Sequence, residues 1–414
     1  MVKDDPTIGL YGILGVYNYG CEAIIRGTEI ILHKKWPDAH IKYASLRPED
    51  DKQRLKGCDV EIIPRKMHRF GSMHRFNGLM AVQTGFYSKK LFQENLKWIE
   101  SCDVIFSVGG DFYTIPPYIK DSKFLRHYNS IIHFGEIVKA KGKPFVIWGA
   151  SIGPFESGTK TKNIYANHLS KVDLITSREP KTSLYLKEEL GIYQNVQNCA
   201  DPAFIIPFTE NHFKDSKKTI IGINLSPMSS FYVFGENFND TIKYQSKLIT
   251  KLVKKFDAKI ILIPHVVCYF DYKDDDLRYL KNIWEQLPSN ISKNVTLLDK
   301  DLGFIGTKKI LSECDIVLAS RMHCVINALT VGTPTILISY SQKAAGMAEY
   351  VYGTDKWVIS LNEMMKNPDK LFRLMKLILL EKEDLNKFIK MRMINIKKDV
   401  YNPITAIEKL LQNG

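Results

Sequence analysis

With 414 residues, 45% of them apolar and 25% charged, the chain has the make-up of a globular protein of two domains and not of a disordered or fibrous one. No apolar run approaches the ~18 residues of a transmembrane helix, and the start, Met1-Val2-Lys3-Asp4-Asp5-Pro6, leads almost directly into strand-like sequence, so no signal peptide is expected. A net charge of +13 favours an anionic partner, while seven widely spaced cysteines without a C-x-x-C pair speak against a zinc ribbon or disulfide framework and for a reducing cytoplasm.

Short β-rich runs alternate with helical patterns from end to end, which predicts an α/β fold with mainly parallel sheets. An opening strand over residues 10–16 leads into Val16-Tyr17-Asn18-Tyr19-Gly20-Cys21-Glu22 and a helix over 23–32. A helix start at a strand end suits a polar ligand, although Asn18 and Gly20 equally suit a plain turn. Gly9, Gly12 and Gly15 lack the dinucleotide-fingerprint spacing. Strands follow at 41–44 and 60–63. Between Ile62 and Ile99 stand seven Lys/Arg and one acid, with Phe70, Phe76, Phe86, Tyr87, Phe92 and Trp98 interleaved. The stretch reads as a basic loop for anionic headgroups or a phosphorylated lipid-linked acceptor, or as core aromatics under a basic outer face.

The strand at 104–108 ends in Gly109-Gly110-Asp111. Two glycines allow a ligand to come close, and Asp111 is placed to take a proton from a sugar hydroxyl or to serve a turn. Another strand, 145–148, ends in Gly149-Ala150-Ser151-Ile152-Gly153-Pro154. The stretch Gly153–Thr161 is not a P-loop, since one residue too many precedes Lys160. Strand 174–176 leads to Ser177-Arg178-Glu179-Pro180. Arg178 is expected at the mouth, gripping a phosphate or carboxylate, and Glu179 and Pro180 suit the first turn of a helix through Leu190.

Pro202, Pro207 and the polar stretch 209–218 mark a hinge, giving domains over 1–208 and 209–414. The second half repeats the scheme, with strands at 220–224, 259–263, 295–298, 316–319, 335–338 and 357–359. After Ala319 comes Ser320-Arg321-Met322-His323 and a helix over 324–329. With Ser320 as N-cap, the helix start, the Arg321 guanidinium and the His323 imidazole form an anion site with a proton donor. Lys343 adds a point charge at the next strand end. The tail from Leu361 is helical in pattern, with Leu371, Leu374, Ile378, Phe388 and Met391 at apolar spacing and eleven Lys/Arg against seven acids. It reads as a solvated amphipathic helix or one that docks on a membrane surface. No H-E-x-x-H, G-x-S-x-G or EF-hand pattern occurs.

Taken in order, Asn18-Tyr19-Gly20-Cys21-Glu22-Ala23-Ile24, Gly109-Gly110-Asp111, Gly149–Pro154, Ser177-Arg178-Glu179, Asp201-Pro202-Ala203-Phe204, Ser320–His323 and Tyr340-Ser341-Gln342-Lys343 resemble the polysaccharide pyruvyl transferase family over about residues 9–350. The resemblance implies two Rossmann-like domains facing across a cleft, as in GT-B glycosyltransferases. It implies transfer of pyruvate from phosphoenolpyruvate to a hexose of a capsule or exopolysaccharide, or of its lipid-linked precursor, with release of phosphate. By the same reading Arg178, Arg321, His323 and Lys343 bind the donor, while Asn18, Glu22 and Asp111 bind the acceptor. His323 acts as general acid, and Asp111 is the base for the hydroxyl. Cys21 departs from the family, which often has an acid before the Glu. The first domain, with its 62–99 insert, is expected on the acceptor side and the second on the phosphoenolpyruvate side.

Phosphoenolpyruvate carries ~3 negative charges near neutral pH, which three cations suit better than they suit a nucleotide sugar. No cofactor and no metal are expected. The expected partners are phosphoenolpyruvate, a glycan or undecaprenyl-linked acceptor and an anionic membrane surface, for a cytoplasmic protein peripheral to the inner face of the membrane. No nucleic acid is expected, because no nucleic-acid module accompanies the charge. Two alternatives remain: a GT-B glycosyltransferase using a nucleotide sugar, and a non-catalytic glycan- or lipid-binding protein.

Overall fold

Runs of aliphatic and β-branched residues, too apolar to leave either face in water, build two parallel sheets. The computed structural model describes residues 5–65, 93–115, 130–156, 159–209, 218–235, 237–340 and 343–413. Most of the basic 62–99 stretch and of the 209–218 hinge lies outside them.

The first sheet has seven strands: β1 (Thr7–Tyr11), β2 (His40–Ser45), β3 (Glu61–Pro64), β4 (Val104–Val108), β5 (Phe145–Ala150), β6 (Leu174–Ser177) and β7 (Val196–Asn198), in the order β3-β2-β1-β4-β5-β6-β7. Every residue of β4 and β5 is buried. Trp148 and Phe106 lie within this core, and the Trp148 indole N–H donates to Thr28 Oγ1 at 2.9 Å. The order reverses between β1 and β4, where open α/β sheets bind ligands beyond the carboxyl ends of the strands.

The second sheet has six strands: β8 (Ile220–Asn224), β9 (Lys259–Leu262), β10 (Val295–Leu297), β11 (Ile316–Ala319), β12 (Thr335–Ser339) and β13 (Val358–Ser360). Their order is β10-β9-β8-β11-β12-β13, which reverses between β8 and β11.

Several expectations shift. The opening strand ends at Tyr11, not Val16, because the chain turns away at Gly12, whose φ of +130° suits glycine alone. Past it, the Val16 N–H donates to the buried Asp51, which also accepts from Tyr43 and Ser45. The following helix is longer than expected, Tyr19–Lys35. Strand β7 was not foreseen: three residues, none of them buried, give too little pattern.

The units are also discontinuous, unlike the continuous halves 1–208 and 209–414. Tyr17–Ala23 belongs with the second unit, which otherwise takes Ile206–Lys397, and residues from Lys398 onward belong with the first. The Tyr19 N–H donates to His265 O and Val267 N–H to Tyr17 O, while Gln197 Nε2 donates to Asn402 O and Lys35 pairs with Glu408. Along the tail helix Lys382–Asp399 the buried face is Ile389, Met393 and Ile396, and Phe388 and Met391, two of the residues at apolar spacing, stand exposed.

Candidate active site

In the first unit the carboxyl ends of four strands converge on one guanidinium. Arg178 follows β6, and its Nε donates to Ser151 Oγ beyond β5 at 2.8 Å. Its Nη1 donates to Asp201 Oδ2 beyond β7 at 3.0 Å, and its Nη2 to Asp111 Oδ1 beyond β4 at 2.9 Å. Arg178 is thus not at an open mouth, as the sequence suggested, but 1% exposed with all three nitrogens donating to protein. Burial works against its charge, and Asp111 and Asp201 more than offset this. Glu179 caps helix Pro180–Glu188 by accepting from Thr182 N–H, the structural role its position allowed.

Gly110 is glycine for this cluster's sake: a Cβ there would lie 2.2 Å from Arg178 Nη1. The neighbouring Gly109, at φ +135°, lies against the Phe112 ring. Both glycines therefore serve close packing of protein on protein, where the sequence reading had them open a way for a ligand. Asp111 itself remains half exposed.

The second unit holds a matching arrangement at its switch point. Arg321 follows β11. Its Nε and Nη2 both bond the buried Asp276, the Nη2 at 2.8 Å, and Nη2 also bonds Asp274 at 2.6 Å. Asn224, the last residue of β8, accepts the Arg321 backbone N–H at 2.9 Å, and its amide donates to Asp276 and to Ile263 O. Burial lifts the Asp276 carboxyl to about 6, although Arg321 draws it down. Burial opposes the charge of Arg321, and the two aspartates outweigh it, so the guanidinium stays protonated.

The helix after Arg321 is Met322–Thr330, and its N-cap is Arg321 itself, not Ser320. The Ser320 hydroxyl faces Asn224 instead, at 3.5 Å. His323 nevertheless falls in the first helical turn, as expected.

Segment 17–23 packs on this turn. A Cβ on Gly20 would lie 2.3 Å from His323 Nδ1, so only glycine lets the helix start approach the imidazole. Asn18 Oδ1 accepts from Gly20 N–H, making the turn that the sequence had allowed. Glu22, 3% exposed, accepts from Phe304 N–H at 2.9 Å and so sits at the start of helix Gly303–Glu313. Two of the three residues expected to bind acceptor, Asn18 and Glu22, are thus already engaged in holding the segment. Lys343 opens helix Lys343–Tyr352 after β12, half-buried at the strand end beside Arg321's.

Four residues of the second site were not singled out from the sequence: Asn224, His265, Asp274 and Asp276. The first two end or closely follow strands, the signal that had found Asp111 and Arg178. His265 is buried between the Tyr19 ring at 5.2 Å and the Phe304 ring at 5.8 Å. Its Nε2 meets no hydrogen-bond partner among the described residues. Burial, with the charges of His323, Arg321 and Lys308, pushes its imidazole well below the usual histidine range, leaving it neutral. Among the described residues no three His, Cys, Asp or Glu side chains stand together as a metal site.

Comparison with known proteins bears on both the fold and the sites. The chain is 23% identical over 368 residues to the amylovoran biosynthesis protein AmsJ of Erwinia amylovora, covering 80% of this chain and 82% of that one. Its fold is similar to that of UDP-GlcNAc 2-epimerase from Neisseria meningitidis bound to UDP-GlcNAc, with a TM-score of 0.60 at 13% identity over 99% of this chain and 100% of that one. A glycosyltransferase from Rickettsia africae gives a TM-score of 0.58 at 14% identity over 100% of both chains. At such identities these two show the fold alone, the two-unit α/β architecture of GT-B glycosyltransferases and epimerases. The family model that matches, over residues 18–342, takes in Asp111, Arg178, Asn224, His265, Asp276, Arg321 and His323, and the chain belongs to the polysaccharide pyruvyl transferase family.

Proposed function

We propose that the chain transfers pyruvate from phosphoenolpyruvate to two hydroxyls of one hexose in a polysaccharide or its lipid-linked precursor, releasing phosphate. The observation that carries this reading is the second unit's site, where a half-buried, aspartate-clamped Arg321 leads into a helix with His323 in its first turn. The bonds described use Nε and Nη2 of Arg321, and its Nη1 is the group we assign to the donor's anionic end. Backbone N–H groups at the start of Met322–Thr330 and the Lys343 ammonium complete the set.

His323 delivers a proton to the methylene carbon of the enolpyruvate, making C2 electrophilic. A sugar hydroxyl adds to C2 and loses its proton to a base, the part the sequence reading gave Asp111. The C2–O bond to phosphate then breaks, and a second hydroxyl closes the ketal, its proton leaving with phosphate. Arg178, 1% exposed and shared among Ser151, Asp201 and Asp111, acts by orienting Asp111. Asn18 and Glu22 act by holding segment 17–23 against His323.

Thermal shift with millimolar phosphoenolpyruvate, UDP, GDP and UDP-sugars tests the donor. A ligand at 100 times its dissociation constant stabilises by ~2.7 kcal/mol. Phosphoenolpyruvate alone is expected to stabilise, and Arg321→Ala to abolish the shift. His323→Ala should keep the shift and lower turnover by ~10²–10⁴. Stabilisation by a nucleotide instead overturns the donor assignment in favour of a glycosyltransferase.

A lipid-linked acceptor is supported by a separate surface. No described helix is long and apolar enough to cross a membrane. Along helix Lys382–Asp399, Phe388, Met391 and Ile394 are nevertheless 45%, 66% and 53% exposed, and Lys387, Lys397 and Lys398 lie on the same helix. Such a face suits anionic headgroups. The protein should sediment with vesicles containing phosphatidylglycerol and less so after Phe388→Ser with Met391→Ser; equal binding removes this surface from the reading.

A further inference from the structure

Arg178 and Arg321 are each clamped by two aspartates, whereas at a third strand end Arg65 meets no carboxylate among the described residues. Arg65 directly follows β3, and its backbone N–H donates to Ser45 O, at the end of β2, at 2.7 Å. Its main chain is thus fixed by the sheet. The side chain reaches past β2 to β1, where the guanidinium lies 4.0 Å from the centre of the Tyr11 ring. Tyr11 is the last residue of β1, and its ring is stacked on Phe134 at 3.5 Å. The cation therefore rests on a ring that is itself held in place. Arg65 is half-buried, and its Nη1 is shielded from water yet meets no hydrogen-bond partner among the described residues. The buried carboxylate of Asp51, which accepts from Ser45, is engaged by Val16 N–H and the Tyr43 hydroxyl as well and does not serve it.

A guanidinium only donates, so whatever satisfies Nη1 must be an acceptor. A donor shielded from water and left unmet costs free energy. In the sequence no acid follows Glu61 until Glu94, so the chain adjoining Arg65 brings no counter-charge of its own. The chemistry therefore calls for an oxyanion, which an arginine fork holds through two parallel bonds. The position is that of a ligand site. The sheet order reverses between β1 and β4, and open α/β sheets bind ligands beyond the strand ends at such a point. Across it Tyr11 pairs with Ser107 of β4, and that strand ends at Val108, three residues before Asp111. An anion on Arg65 and a sugar hydroxyl at Asp111 thus belong to one strand edge of the first unit. We infer that Arg65, seated on Tyr11, is a subsite for a phosphate or diphosphate ester of the acceptor. This deepens the transferase reading, and rests on it for the choice of phosphate over carboxylate and for calling the ester part of the acceptor.

Calorimetric titration with inorganic pyrophosphate, and with acetate as the carboxylate control, tests the subsite. Any pyrophosphate held at the Arg321 site is common to wild type and variants, so the difference between them reads Arg65 alone. Arg65→Met should weaken pyrophosphate binding by about tenfold, the loss expected for charge-assisted hydrogen bonds. Arg65→Lys keeps the charge over Tyr11 and loses the fork, so it should weaken binding about threefold and serves if the Met variant does not fold. The thermal shift with phosphoenolpyruvate should be unchanged in both. Equal pyrophosphate affinity in wild type and variants overturns the proposal, as does an equal Arg65-dependent loss for acetate. Flotation with phosphatidylglycerol vesicles, with and without undecaprenyl diphosphate, separates the two sources of the ester. An Arg65-dependent preference for the diphosphate lipid assigns it to a lipid-linked acceptor, and Arg65-dependent pyrophosphate binding without that preference assigns it to a soluble sugar phosphate. If pyrophosphate binding depends on Arg65 while phosphoenolpyruvate gives no shift, the subsite stands and the pyruvyl-transfer reading falls; the reverse pair of results removes the subsite alone.

Discussion

Arg178, fully buried, and Arg321, half-buried, solve one problem in the same way: a guanidinium largely withdrawn from water is tolerable when two carboxylates share it. Such a clamp fixes the side chain within a narrow geometry. The glycines belong to the same logic. Gly20→Ala puts a methyl group 2.3 Å from His323 Nδ1, against a ring and not a flexible chain end. We expect turnover to fall by ~10²-fold, as for a misplaced catalytic group, with a stability loss of about 1–3 kcal/mol. Steady-state kinetics and denaturant midpoints on one preparation separate the two effects. Unchanged turnover would mean that His323 tolerates displacement and is not the acid.

Among the elements, helix Gly303–Glu313 shows how segment 17–23 is tied down. Its N-cap, Leu302, offers no side-chain bond, and Glu22 supplies the missing acceptor to Phe304 N–H. A carboxylate at a helix start gains both a hydrogen bond and a favourable interaction with the helix dipole. Glu22→Gln keeps an acceptor and loses the charge, so it should destabilise by about 0.5–1 kcal/mol, and Glu22→Ala by about 1–2 kcal/mol, as read from urea midpoints. If Glu22 instead binds acceptor directly, both variants raise the acceptor KM without moving the midpoint. The same comparison shows how far local pattern reaches. Strands β4, β8 and β11 are found with their expected limits, because a buried parallel strand is a continuous apolar run. Strand β7 and the start of helix Tyr19–Lys35 are not, because neither has a period of its own to read.

For the whole molecule, one buried cation sets a pH dependence. Lys308 is fully buried, donates to Thr330 Oγ1 at 2.5 Å and lies 5.1 Å from the centre of the Phe304 ring. Burial, with some repulsion from Lys397, lowers its ammonium from 10.5 to about 7. The unfolded chain thus holds this proton more tightly than the folded one, and the Lys308 contribution to stability rises with pH from about 7 to 10.5. Below that window the full cost of burying the charge applies, on the order of 5 kcal/mol. Lys308→Met should raise Tm at pH 7 and flatten its rise towards pH 10; parallel profiles for the two proteins would show that Lys308 stays charged in the fold.

The sequence by itself determined the α/β class, most strands, the motifs at their carboxyl ends and the resemblance to the family that the chain belongs to. These are local properties, written in apolar runs a few residues long and in the glycines and polar residues that end them. Only the tertiary structure decided what those polar residues touch. Asp111 and Arg178 are 67 residues apart, and Arg321 and Asp276 are 45 apart. Likewise, only the folded chain joins residues 17–23 to the second unit and residues after 397 to the first. The physical reason is sheet order. Parallel strands that are distant in the chain lie side by side, so their ends meet in space, and the cost of burying each arginine then selects its carboxylate partners from whichever strand ends arrive there.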